Sequence, residues 1–117
     1  MVQQMNILHL NMSYRFMRLI VMFDLPVTKA SLLKEYTAFR KFLIKEGFIM
    51  MQESVYTKLL LNATNLDLLY ARIDKNKPSS GIVQLLKVTE KQYSEIKYLV
   101  GKKQETIEES DKRLVIF

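Results

Sequence analysis

Apolar residues recur along the chain with two different periods, one typical of a buried strand and one typical of an amphipathic helix. The run Leu19–Phe23 is apolar without interruption, and such a run is typical of a strand that is buried on both faces. Pro26 follows soon after and cannot donate a hydrogen bond to a neighbouring strand. The pattern therefore predicts a first strand that begins near Arg15 and ends at about Leu25.

A helix is predicted next, over Ser31–Glu46, because apolar residues recur on one face at helical spacing while lysines fall on the opposite face. Gly47 supplies the stop at its carboxyl end. Two strands, Phe48–Gln52 and Ser54–Leu61, follow and divide at Glu53. The apolar face of the helix consists of Leu32, Tyr36, Phe39 and Leu43, and the opposite face carries Lys34, Lys41 and Lys45.

The second half of the chain repeats the order of helix and strand. Apolar spacing over Leu66–Ile73 predicts a second helix, and Thr64 with Asp67 has the pattern of a capping box at its start. The loop Lys75–Gly81 is rich in residues that break regular structure. A fourth strand is predicted over Ile82–Thr89.

A short helix and a final strand complete the predicted elements. Thr89 and Gln92 have the spacing of another capping box, and the helix that it opens is predicted to end at Gly101. Its apolar face consists of Tyr93, Ile96 and Val100. A terminal strand is predicted over Arg113–Phe117, where it either completes its own sheet or pairs with another protein chain.

The predicted order, β-α-β-β-α-β followed by a short helix and a strand, is that of a ferredoxin-like α+β domain with its helices on one face of an antiparallel sheet. The other face of such a sheet usually contacts water. Here the first strand is apolar on both faces, so we expect a second copy of the chain to cover the open face in a face-to-face homodimer. The two sets are Phe16, Ile20 and Met22 on one face and Met17, Leu19, Val21 and Phe23 on the other.

The first twelve residues differ from the rest, since they contain no charged side chain and follow no clear period. Met12 and Ser13 mark a possible second start, so residues 1–12 are interpreted as an N-terminal extension and 13–117 as a single domain. The alternative is an arm that packs against the domain.

Composition narrows the class of function. The chain has 117 residues with 18 Lys and Arg against 12 Asp and Glu, a formal charge of +6. An excess of this size favours a polyanionic partner such as nucleic acid or a membrane surface. The absence of cysteine excludes a thiolate site. With His9 near the N-terminus as the only histidine, neither a Ser-His-Asp triad nor a poly-histidine metal site is expected. With neither a secretory pattern nor an apolar run long enough to cross a membrane, a cytoplasmic protein is expected.

Asp24 is the candidate for chemistry because it ends an apolar strand, where an acid is costly unless it is paired or binds a metal. The alternative is an acid in water that caps the turn through Pro26 and Thr28. One carboxylate cannot build a Mg²⁺ site unaided. A two-fold axis near the strand end would bring two copies of Asp24 together, and a shared cation would relieve their repulsion.

The lysine stripe is the candidate surface for nucleic acid. Lys34, Lys41 and Lys45 lie on one helix face, with Arg40 a little to one side. Arg15 and Arg18, near the start of the first strand, extend the patch. The alternative is an ordinary solvated helix face, and the sequence contains neither a base-reading motif nor a glycine-rich phosphate loop.

Four segments closely resemble the CRISPR-associated Cas2 family in its type II form. They are MSYRFMRLIVMFDLP at Met12–Pro26, YTAFRKFLIKEGFIMMQESVYTKLLLN at Tyr36–Asn62, LLKVTEKQY at Leu85–Tyr93, and the terminal SDKRLVIF. The resemblance runs from about Met12 to Phe117 and favours Met12 as the family-like start.

The resemblance implies a ferredoxin-like homodimer with one of two functions. The first is adaptation: the dimer bridges two dimers of the integrase subunit Cas1 and holds duplex prespacer DNA for integration into CRISPR repeat DNA. The second is a metal-dependent endonuclease acting on RNA or DNA, in which Asp24 of each protomer is catalytic and the pair holds one Mg²⁺. The resemblance also implies that Ser54 supports the site.

One position departs from the family pattern. Many nuclease members have a tyrosine directly before the aspartate, where this chain has Phe23. A phenyl ring cannot hydrogen-bond to a phosphate or to water, so the departure favours the scaffold over the nuclease. A third reading, a toxin ribonuclease or a ligand-binding regulatory dimer, has no pocket motif to support it.

Overall fold

A four-stranded antiparallel sheet is the framework of the computed structural model, which describes residues 16–61 and 65–102. The strands are ordered β2-β3-β1-β4 and all neighbouring pairs are antiparallel. This is the predicted ferredoxin-like arrangement. In chain order the elements are β1 (Met17–Asp24), α1 (Ala30–Lys45), β2 (Ile49–Gln52), β3 (Val55–Leu60), α2 (Leu66–Lys75), β4 (Ile82–Thr89) and α3 (Glu90–Ser94).

The bounds of β4 and the capping box that follows it agree with the prediction. The Thr89 hydroxyl accepts a hydrogen bond from the Gln92 backbone N–H at 3.0 Å, and the Gln92 side chain accepts from the Thr89 N–H at 2.9 Å. The predicted length of α3 is wrong, because the helix ends at Ser94. Its last turn closes with a bond from the Ile96 N–H to the carbonyl oxygen of Tyr93.

The predicted apolar face of α3 therefore does not form, since Ile96 and Val100 lie beyond the helix. Val100 is 92% exposed, so it makes no core contact that would stabilise a longer helix. Several other predictions fall outside the described residues: the extension at 1–12, Arg15, Thr64 and the strand at Arg113–Phe117.

Side chains of β1 alternate between the two faces of the sheet. Leu19, Val21 and Phe23 point to the helix-covered face and are at most 5% exposed. They pack with buried side chains of α1, α2 and β3, and this cluster is the core. Its other members are Phe39, Leu43, Phe48, Tyr56, Leu60, Leu66, Leu69 and Ile73.

The open face of the sheet is also apolar, as the pattern of β1 predicts. Ile20 lies at the centre of this face, between Thr57 of β3 and Leu86 of β4, and is only 9% exposed. Leu86 and Ile82 are 47% and 57% exposed. Of the described helices, none has both the length and the apolar character needed to cross a membrane.

Candidate functional site at the end of the first strand

Asp24 is the last residue of β1, and its side chain is exposed. It is paired with Ile82, the first residue of β4. By the alternation of the strand its carboxylate points to the open face of the sheet, opposite to the ring of Phe23. The predicted site residue is therefore accessible to solvent and to a second molecule.

Gly81 sets how closely the loop before β4 approaches Asp24. Its φ is +89°, and a Cβ atom there would lie 2.6 Å from the Asp24 carbonyl oxygen and 3.1 Å from the Leu25 Cα. A contact below 3 Å with backbone cannot be relieved by a side-chain rotation. Glycine is required here both for the left-handed backbone and for the close approach.

Ser54 flanks the other side of the strand end, and its predicted support of the site stays a prediction. It lies in the turn between β2 and β3, and its carbonyl oxygen accepts a hydrogen bond from the Phe23 N–H at 3.0 Å. This contact is made by the backbone, and it fixes the residue directly before Asp24. Ser54 and Asp24 are thus brought to the same end of the sheet.

Two neighbouring residues of α1 contact the loops around Asp24. The Glu35 carboxylate accepts two hydrogen bonds from Ser79, one from the hydroxyl and one from the backbone N–H, both at 2.9 Å. These bonds lower the pKa of Glu35, the hydroxyl having the larger effect. The Tyr36 hydroxyl donates to the carbonyl oxygen of Glu53 at 3.4 Å.

The ring of Phe23 is a core side chain and does not line the Asp24 site. It is 5% exposed and packs edge-on against Phe39, with 5.2 Å between ring centroids. It also contacts Tyr36 and stacks on Tyr56, each at 5.8 Å. The departure from the family pattern therefore lies on the helix-covered face of the sheet.

Within the described residues of one protomer, Asp24 does not belong to a cluster of metal-binding side chains. The described residues contain no group of three or more acidic or histidine side chains that could hold an ion. Mg²⁺ is commonly bound by one or two carboxylates, with water and substrate phosphate completing its octahedron. The residues fit the two-carboxylate form of that pattern if a second copy of the chain supplies its own Asp24.

The lysine stripe is exposed on α1 as predicted, since Lys34, Lys41 and Lys45 all lie on the solvent side of the helix. Within the described part of the chain, none of them forms an ion pair. Phe39 and Leu43 on the opposite side are buried. The helix thus packs by its apolar face and presents a row of exposed cationic groups to solvent.

The two predicted arginines that the structure describes are held by other side chains. The Arg40 Nε–H donates to the Tyr56 hydroxyl at 2.9 Å, and this bond raises the pKa of Arg40. Arg18 forms a two-point ion pair with Glu90, at 2.9 and 3.1 Å, and its guanidinium lies 4.0 Å from the ring centroid of Tyr93. Arg18 lies on the open face and is only 13% exposed, so it anchors α3.

Sequence reasoning missed Glu35, Ser79, Gly81 and the hydroxyl of Tyr56. The sequence predicts a loop over 75–81. Gly81, which follows a Pro-Ser-Ser run, is the local signal for a tight approach at the end of that loop. No local signal pairs Glu35 with Ser79, which lies 44 residues away.

Comparison with known proteins agrees with the geometry. The family profile described as CRISPR associated protein Cas2 matches residues 17–96. A relative from Treponema denticola, named CRISPR-associated endoribonuclease Cas2, is 50% identical over 100 residues, which is 86% of this chain and 99% of the relative. A protein of the same name from Ligilactobacillus salivarius is 46% identical over 100 residues, again 86% of this chain and 99% of the relative.

The fold has a counterpart among solved structures. One described as "Crystal structure of cas2" superposes with a TM-score of 0.54 at 21% identity, covering 79% of this chain and 94% of the other. At that identity the likeness concerns the fold alone.

Proposed function

The chain belongs to the Cas2 family of CRISPR-associated proteins, and from that premise we propose that it acts in spacer acquisition. Two copies form a central dimer that holds duplex prespacer DNA and bridges two dimers of the Cas1 integrase. The bridging of Cas1 and the integration into CRISPR repeat DNA rest on the family resemblance.

The observation that carries the proposal is the row of lysines on α1. Lys34, Lys41 and Lys45 are exposed, lie on the side of α1 opposite to its buried residues and have no acidic partner in the described part of the chain. Cationic groups of this kind contact phosphates without reading the bases, and the affinity that they supply falls steeply with salt. A scaffold that accepts prespacers of any sequence needs such a surface.

Dimer formation is supported by the open face of the sheet. Ile82, Leu86 and Leu59 expose 57%, 47% and 37% of their surface there, around the nearly buried Ile20. An apolar sheet face of this kind gains free energy when another surface covers it. A second copy of the chain fits because it would present the same apolar face and would bring a second Asp24 to the same edge.

A second candidate function is a Mg²⁺-dependent endonuclease, favoured by the placement of Asp24. Its carboxylate is exposed at the end of a central strand and has no hydrogen-bond partner in the described part of the chain. Mg²⁺ held by two such carboxylates would supply an activated water and would stabilise charge on a phosphodiester. The relatives described above are named endoribonucleases, and that name supports this candidate function.

The two functions are separated by a comparison of variants. Lys41→Glu with Lys45→Glu is expected to weaken binding to duplex DNA at least tenfold at moderate salt, because two phosphate contacts become repulsive. Asp24→Ala is expected to leave that binding within about twofold. Lys77→Glu with Lys91→Glu, at two lysines that are already paired with Asp74 and Glu95, makes the same change in net charge and is the control. Full binding by the double variant would rule out the lysine row as the DNA surface.

A further inference from the structure

We propose that Glu35 is a positioning residue for Asp24. Together with its neighbour Tyr36 it ties the two loops that flank the end of β1 to the helix that carries the lysine row. The importance of Asp24 and of the lysines rests on the proposed function, whereas the tie between them is a property of the fold.

The first loop, residues 76–81, is held by a two-point contact. One oxygen of the Glu35 carboxylate accepts from the Ser79 N–H and the other accepts from the Ser79 hydroxyl, each at 2.9 Å. A carboxylate that receives two donors from one residue restrains both the position and the direction of that residue. Movement of Ser79 relative to α1 therefore stretches or breaks one or both of these bonds.

Gly81 transmits this restraint to Asp24. It lies two residues beyond Ser79, and its Cα is so close to β1 that a Cβ would stand 2.6 Å from the Asp24 carbonyl oxygen. The next residue, Ile82, is the ladder partner of Asp24. A shift of the loop at Ser79 is therefore passed directly to the backbone of Asp24.

The second loop, the turn at Glu53 and Ser54, is held by the adjacent residue of the helix. The Tyr36 hydroxyl donates to the Glu53 carbonyl oxygen, and its ring packs against Phe23 at 5.8 Å. Ser54 in turn accepts from the Phe23 N–H at 3.0 Å. Both loops that enclose the strand end are thus fastened to one turn of α1.

This arrangement explains an acidic residue directly beside Lys34. A carboxylate on a phosphate-binding surface would oppose the binding of DNA. The Glu35 carboxylate keeps its charge, but its two hydrogen bonds hold it toward Ser79 of the loop. The helix therefore presents lysines on one side and fixes the Asp24 strand end on the other.

The test uses the full-length protein, and it follows the Asp24 carboxyl carbon and the backbone amides by NMR. Glu35→Ala removes both bonds to Ser79 and is expected to shift the Asp24 and Gly81 resonances. It should also speed amide exchange at Ile82 by at least about fivefold, the effect of losing one hydrogen bond of ordinary strength. Glu35→Gln keeps one carbonyl acceptor for Ser79 and should restore part of the change. Lys34→Ala, the adjacent exposed residue, should leave these resonances in place.

Two controls separate positioning from general loss of stability. Lys77→Ala breaks the exposed ion pair with Asp74 beside the same loop and should not move the Asp24 resonance. Tyr36→Phe should instead speed exchange at Phe23, on the other flank. If Glu35→Ala alters the Ser79 signals but leaves Asp24 and Gly81 unchanged, the positioning role is wrong. If Glu35→Ala does not fold, Ser79→Ala and Glu35→Gln decide by the same criterion.

The salt dependence of DNA binding distinguishes a failure of this inference from a failure of the proposed function. Lys34→Ala should lower the slope of log affinity against log salt by about 0.9, the value for one phosphate contact. Glu35→Ala should leave that slope unchanged. A slope unchanged by Lys34→Ala would contradict the DNA contact at that lysine, whereas the Asp24 resonances alone decide the role of Glu35.

Discussion

The Nε–H of Arg40 donates to the hydroxyl oxygen of Tyr56 across the interface between α1 and β3, at 2.9 Å. Tyr56 is 0% exposed, so this bond satisfies a hydroxyl that water does not reach. The predicted DNA-binding role of Arg40 stays a prediction, but its Nε–H is used within the protein. Arg40 thereby attaches α1, the helix that carries the lysines, to the sheet.

Tyr56→Phe removes the acceptor and leaves the packing of the ring in place. The expected result is a rise of about fivefold in the unfolding equilibrium constant, the net effect of one ordinary hydrogen bond. Urea denaturation followed by circular dichroism measures it. A variant as stable as the parent would show that the Arg40–Tyr56 bond does not hold α1 to the sheet.

Gly81→Ala is expected to lower the free energy of unfolding by about 2 kcal/mol or more, since it adds backbone strain and a clash with the Asp24 carbonyl oxygen. Gly101→Ala is the matched control. Gly101 has a similar φ of +82°, but a Cβ there would meet nothing within 4 Å. The difference between the two variants in urea denaturation isolates the clash, and equal losses would contradict the close approach at Gly81.

The pKa of Glu35 is expected to rise toward 4.5, its ordinary value, in Ser79→Ala, because the larger of the two hydrogen bonds that lower it is removed. A folded-state pKa below the unfolded one adds stability that is present above pH 4.5 and is lost as the pH falls through the folded pKa. The parent should therefore exceed Ser79→Ala in stability at pH 7 by more than at pH 3. Carboxyl-carbon NMR titration and urea denaturation at both pH values check it, and an unchanged Glu35 pKa would contradict the contact.

Neutral replacement of the lysines tests the number of phosphate contacts. Lys41→Gln and Lys45→Gln are each expected to lower the slope of log affinity against log salt by about 0.9 and to weaken binding equally for unrelated duplex sequences. Fluorescence anisotropy over a series of salt concentrations measures both. A loss of affinity confined to one DNA sequence would contradict a contact with the backbone alone.

The fold was largely predictable because its signals are local. The uninterrupted apolar run of β1 marked a strand buried on both faces, and the structure buries Leu19 on one side and Ile20 on the other. The Thr89 and Gln92 capping box located the end of β4, since its bonds span only three residues. The length of α3 was overestimated because apolar periodicity continues past Ser94 without a core for those residues to pack against.

The site was predictable only in part, because the contacts that shape it join distant segments. Asp24 was recognisable as an acid at the end of an apolar strand. The predicted phosphate contact of Arg18 stays a prediction, but the pairing of its guanidinium with Glu90, which lies 72 residues away, was not predicted. A pairing over that distance leaves no periodic or spacing signal in a single sequence.

Spacer integration in vitro tests the central claim most directly. The reaction combines the full chain, purified Cas1 integrase, duplex prespacer, CRISPR repeat DNA and Mg²⁺, and it compares the parent with Asp24→Ala and with Lys41→Glu plus Lys45→Glu. If the protein is a scaffold, integration persists with Asp24→Ala. It falls at least tenfold with the lysine variant, because that variant binds the DNA more weakly. Loss of integration with Asp24→Ala, while dimer mass and DNA binding are unchanged, would contradict the scaffold and place Asp24 in the chemistry.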